Sequence, residues 1–214
     1  MMEKYRSALS DRKFMGAVLA SIALFLVSLV INFYAGIYAT QSASNPVTDI
    51  VLSNIRVYDV DLIFIYGPLL LWIFVTVLCL KEPARIPFTI SSIALFVIIR
   101  SAFISLTHLG PFPTQAVVDY SSNFIKRFTF GGDLFFSAHT GLPFLMALSF
   151  RPVSRSLFFA FFAAAIFFGI VVLLGHLHYS IDVLSAFFIT YAIFHMAEFM
   201  FKKDRQMFLG AKQN

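Results

Sequence analysis

His178-Tyr179-Ser180-Ile181-Asp182 opens an apolar run that continues to Phe201. The run is long enough to cross a bilayer as one helix, and two ionisable residues stand at its mouth. His178 and Asp182 are four residues apart, so on a helix they share one face, one turn apart. A carboxylate there can bond one ring nitrogen and fix the tautomer. It also supports the charge that develops when the other nitrogen reacts. Both residues are costly at a membrane edge. The plain alternative is an interfacial helix cap, with Asp182 favoured by the helix N-terminus.

Five more apolar runs precede this one, at residues 14–34, 62–80, 86–104, 134–150 and 157–174. Each run, the last included, is 17 to 21 residues long, about the length that crosses a hydrocarbon layer of ~30 Å. Composition agrees. The 214 residues are 59% hydrophobic, 17% aromatic and 13% charged, with a mean hydropathy of +0.84. Soluble domains are nearer a quarter charged. One cysteine, Cys79, excludes an internal disulfide and a multi-cysteine metal site. The expected fold is all-α: a polytopic membrane bundle of six transmembrane helices over residues 14–201. A cytoplasmic segment (1–13) precedes it and a basic cytoplasmic tail (202–214) follows. The first run is read as a retained helix, because it is long and lacks a small-x-small cleavage site.

The net charge of +5 does not point to nucleic acid, because the basic residues flank apolar runs. Six spans put both termini on one side. That side, with the tight turns at 81–85 and 151–155, carries twelve Lys and Arg; the other carries four, Arg56, Arg100, Lys126 and Arg127. The richer side is expected in the cytoplasm. The loops at 39–61 and 105–133 and the short 175–180 connection then face outward. Arg100, Asp133, His139, His176, His178 and Asp182 all fall at that outward level, although they come from runs far apart in the chain. His195 and Glu198 lie near the inner end of the last run, more than ~20 Å from His178 by helix rise, and are expected to be structural.

Two histidines, a carboxylate and an arginine at one depth suggest phosphoryl chemistry. Neutral His178, oriented by Asp182, can attack phosphorus and become a phosphohistidine. His139 can protonate the departing alkoxide and later take a proton from the incoming hydroxyl. Arg100 can hold phosphate oxygens with its planar fork. The Ser137 and Thr140 hydroxyls can orient the phosphate or His139, with Asp133, Tyr179 and His176 as accessory groups. The scheme needs no metal and no cofactor. A zinc site of His139, His178 and Asp182 is the competing reading, though the spacing matches no common zinc signature. Each residue also has a bland role: His139 as a helix-end residue, Arg100 as a lipid anchor, His176 and His108 as loop histidines.

Gly132-Asp133-Leu134-Phe135-Phe136-Ser137-Ala138-His139-Thr140 resembles the G-D-x-x-x-S-G-H-T motif of sphingomyelin synthases. His178-Tyr179-Ser180-Ile181-Asp182-Val183 resembles their H-Y-[ST]-x-D-V motif. Pro46-Val47-Thr48-Asp49 is similar to their early P-L-P-D element, and residues 100–113 to the arginine-bearing segment at the end of their third helix. These enzymes are a branch of the type 2 phosphatidic acid phosphatase superfamily. The resemblance covers residues 45–200. It implies six helices, an outward-facing site and a triad of His139, His178 and Asp182 with His178 as nucleophile. It departs at Ala138, where the motif has glycine, and at Gly131, where the synthases carry cysteine. Val172 stands where the phosphatase branch places an arginine, and that branch's lysine-rich first motif is absent. Fewer cations suit a phosphodiester better than a doubly charged monoester.

The resulting expectation is a lipid phosphotransferase that moves a phospho-head group from a phospholipid donor to a lipid alcohol acceptor, on the extracytoplasmic face. The same site using water would make a lipid phosphatase or a phospholipase-C-like hydrolase. A transporter or channel subunit is the non-enzymatic alternative; transporters place broken helices and charges near the midplane, whereas here the charges gather at one end.

Overall fold

The computed structural model describes residues 10–116 and 132–210. All regular structure among them is helical. In chain order the helices are α1 (Arg12–Gln41), α2 (Asp61–Lys81), a 3-10 turn (Pro83–Arg85), α3 (Ile86–Leu106), α4 (Ala138–Phe150), α5 (Arg155–Leu174), α6 (Ser180–Met200) and α7 (Lys202–Gly210). Five helical stretches are long and apolar enough to cross a membrane: α1, α2, α3 with its leading 3-10 turn, α5 and α6. α4 is apolar but shorter. The chain is an integral, multi-pass membrane protein.

Successive spans run in opposite directions, so the connections collect at two ends. One end gathers residues 42–60, 107–116 and the 175–179 connection; the other gathers the tight turns and α7. α1 packs most extensively on α3, and α4 on α5 and α6. The central core joins Phe88 and Phe96 of α3, Leu145, Met146 and Phe150 of α4, Phe161 of α5 and Ile193 of α6. Gly141 lets α4 approach both α3 and α6. A β-carbon there would lie 2.6 Å from the Phe96 ring and 2.8 Å from the Thr190 hydroxyl, too close for any larger residue.

Three boundaries differ from the sequence reading. α1 was expected to stop near residue 34 but continues to Gln41, because Ala35 and Ala39 pack against Ile104 of α3. The fourth span was expected from residue 134 but starts at Ala138. The residues before it give their carbonyls to Arg100 and His178 rather than to a helical ladder. The basic tail expected from residue 202 contains a helix through Gly210. In it Phe208 is fully buried edge-on to Phe88 and Phe150. Arg205 lies over the rings of Phe88, Phe194 and Phe208, a cation–π arrangement, and bonds Glu198 and the Ser149 carbonyl. His195 and Glu198 pair on this end at 3.2 Å, in keeping with a structural role.

Candidate active site

The 175–179 connection exposes very little. His176, His178 and Tyr179 are all buried, and distant segments hold almost every residue of it. Tyr58 N–H donates to the Leu174 carbonyl and Ala116 N–H to the Gly175 carbonyl. The Thr114 hydroxyl meets His176 Nδ1 at 2.6 Å. The Tyr179 hydroxyl donates to the Gly110 carbonyl at 2.8 Å and accepts from Val47 N–H at 3.2 Å. Asp49 receives both the N–H and the hydroxyl of Ser180, each at 2.7 Å. Its other oxygen receives Val51 and Leu52 N–H. Gly110 is required where the loops meet, since a β-carbon would strike the Ser44 carbonyl.

Burial raises the Asp49 carboxyl's pKa, but the bonds from Leu52, Ser180 and Val51 outweigh it and leave the value below the ordinary one. Burial lowers the His176 pKa, with the nearby Asp49 charge opposing. His176 also holds a φ of 51°, unusual for a residue with a side chain. Burial raises the Tyr179 pKa, so its hydroxyl stays a donor.

His178 Nδ1 lies 2.8 Å from the Leu134 carbonyl oxygen and 3.4 Å from Asp182 Oδ2. A carbonyl can only accept, so this contact assigns a proton to Nδ1. The sequence reading gave the orienting task to Asp182. The geometry gives the nearer contact to Leu134 and leaves Asp182 as the second partner. Asp182 Oδ2 also takes the Tyr179 N–H at 2.9 Å, which caps the start of α6. Its Oδ1 is buried with no hydrogen-bond partner.

Arg100 is buried near the loop end of α3. Nε donates to the Phe136 carbonyl at 2.9 Å, Nη1 pairs with Asp133 Oδ2 at 3.2 Å, and Nη2 donates to the Asp133 carbonyl. Those bonds fix the turn that presents the Leu134 carbonyl to His178. They occupy three of the five guanidinium N–H groups. Asp133 therefore sits on Arg100. Ser137 and Thr140 are fully buried, and neither hydroxyl has a partner; Ser137 N–H donates to the Asp182 carbonyl at 3.1 Å. Lys126 and Arg127 lie outside the described residues.

His139 stands in the first turn of α4, stacked on Phe64 of α2 with ring centroids 4.2 Å apart. Its Nε2 is 3.3 Å from the Phe64 carbonyl oxygen. Ser137, two residues before His139, donates its N–H to the Asp182 carbonyl at 3.1 Å, which sets the start of α4 beside the start of α6. His139 also lines an apolar groove between α2, α4 and α5, bounded by Pro68, Leu71, Trp72, Leu142, Pro143 and Phe168. Among the described residues, no three His, Cys, Asp or Glu side chains gather closely enough to hold a metal ion.

The structure brings His139, His178, Asp182, Arg100 and Asp133 to one end. Sequence reasoning missed the carbonyls of Leu134 and Phe64, which leave no mark on residue type, and undervalued Tyr179 and Asp49. The short Pro46–Asp49 likeness was the one signal that could have singled out Asp49. No curated protein and no solved structure matches the chain. Residues 131–199 match the model of the family described as PAP2 superfamily C-terminal. That stretch carries both histidine motifs, and the match supports kinship with the type 2 phosphatidic acid phosphatase superfamily.

Proposed function

We propose that this protein is a membrane-embedded lipid phosphotransferase of the sphingomyelin-synthase-like kind, working through a phosphohistidine on His178. The observation that carries the reading is the 2.8 Å approach of His178 Nδ1 to the Leu134 carbonyl oxygen; a proton held there makes Nε2 the nucleophile of the proposed reaction. Nε2 attacks phosphorus of a phospholipid, the P–O bond to the glycerolipid breaks, and His139, entering the step protonated on both ring nitrogens, gives the departing alkoxide its Nδ1 proton. An incoming lipid alcohol then surrenders its proton to His139 and takes the phospho-head group from His178. Asp182 supports the positive charge on the ring. The two remaining N–H groups of Arg100 donate to a phosphate oxygen, and the unpartnered Ser137 and Thr140 hydroxyls beside His139 are free to orient the phosphate.

Low local charge favours transfer over monoester hydrolysis. Among the described residues at this end, Arg100 is already paired with Asp133, so the site suits one negative charge better than two. The matched family makes hydrolysis at the same site the second reading. The purified protein in vesicles, given labelled phospholipids with and without added lipid alcohol, tests both. A new labelled phospholipid formed only with the alcohol is the expected result. Free phosphate or phospho-head group, unaffected by the alcohol, would make it a hydrolase.

A further inference from the structure

Pro68 lies inside α2, one turn after Phe64. In a regular helix the carbonyl of Phe64 would accept the N–H of residue 68. Proline has no N–H, and its ring pushes that carbonyl away from the helix axis. The orphaned oxygen is the one His139 Nε2 meets at 3.3 Å. Pro68 also lines the same groove as His139. A helix-interior proline is costly, and here its structural consequence falls on the general acid of the proposed reaction.

We infer that Pro68 is a positioning residue: by withholding an N–H from the Phe64 carbonyl, it reserves that oxygen for His139 and fixes one proton on Nε2, which leaves Nδ1 as the nitrogen that gives and takes the proton of the reaction. The ring, stacked on Phe64, is then held in one orientation with one tautomer. The inference rests on the proposed reaction for its catalytic meaning, but not for its geometry.

Pro68→Ala supplies the missing N–H and improves the helix, so stability and activity should move in opposite directions. The melting temperature should rise, while kcat for transfer falls about tenfold, part of the factor a general acid contributes, with KM within about twofold. Pro68→Gly also supplies the N–H without the helix-favouring methyl, and should lose the same activity with little gain in stability. In a His139→Ala background, read as phosphoenzyme formation from a nitrophenyl phosphodiester, Pro68→Ala should lower activity no further. Ring 15N spectra of labelled histidine report the tautomer without any substrate. Wild type should show a fixed Nε2–H on His139, and Pro68→Ala a mixed population. Parallel loss of stability and kcat, or an unchanged tautomer in Pro68→Ala, overturns the inference. Absence of phosphoryl transfer in wild type, with the tautomer change present, would remove the proposed reaction and leave Pro68's role standing.

Discussion

At His178 two acceptors of unequal reach hold one nitrogen, and the nearer is a backbone oxygen. The roles of the two histidines therefore separate by experiment. His178→Ala should abolish covalent phosphoenzyme on any substrate. His139→Ala should be nearly inactive on a natural lipid, whose alkoxide is a poor leaving group, yet form phosphoenzyme with a nitrophenyl phosphodiester that needs little protonation. Acid-labile phosphate trapped on His139 would reverse the assignment. Arg100 makes a second prediction. Lysine keeps the charge but cannot reach the Asp133 and Phe136 acceptors together. Each charged hydrogen bond lost is worth roughly 1.5–3 kcal/mol, so Arg100→Lys should lower activity by about tenfold or more and lower the melting temperature too. Wild-type activity in Arg100→Ala would reduce the residue to a support of the 133–136 turn. His178, Asp182 and His139 were legible because their spacing and placement at span ends are properties of the sequence. The bonds that orient them were not, because carbonyl direction depends on where distant turns come to rest.

Among the elements, the loop at 45–54 does more than join α1 to α2. Asp49 holds the start of α6 from 131 residues away in the chain. Its folded pKa lies below the ordinary 3.8, so its contribution to stability is fully present above that value. The contribution is lost as pH falls through the lower folded value. The melting temperature of Asp49→Asn should trail wild type by a constant margin at neutral pH, and the margin should close in acid below pH 3.8. A margin independent of pH would mean that the carboxylate charge is not what holds α6. Helix existence was readable from apolar length, and the ends of α2, α3, α5 and α6 fall within two residues of the expected runs. α4 and α7 were misread for opposite reasons. At α4 the apolar run continues past the point where tertiary bonds stop the helix. At α7 four charged residues, Lys202 to Arg205, mask the anchoring Phe208.

For the whole molecule, the basic residues argue that the loop end faces away from the cytoplasm. Asn45 is exposed at that end, and Ser156 is exposed at the other. With the buried Cys79 replaced by serine, Asn45→Cys should react with an impermeant maleimide from outside and Ser156→Cys only after the membrane is opened. The reverse pattern would turn the site inward; labelling of both from one side would break the antiparallel bundle.

α4 has 13 residues, about 20 Å of rise, set in a layer of about 30 Å. With the far end of α4 at one interface, His139 stands below the opposite edge of such a layer, under the apolar 134–137 turn. A lipid phosphate must sink towards that histidine, or the bilayer must thin to meet it, and either adjustment costs fractions of a kcal/mol per ångström. The depth of the reactive pair makes the surrounding lipid's chain length a parameter of the reaction: turnover should be faster in thin, short-chain bilayers than in thick ones, with the chemistry at His178 unchanged.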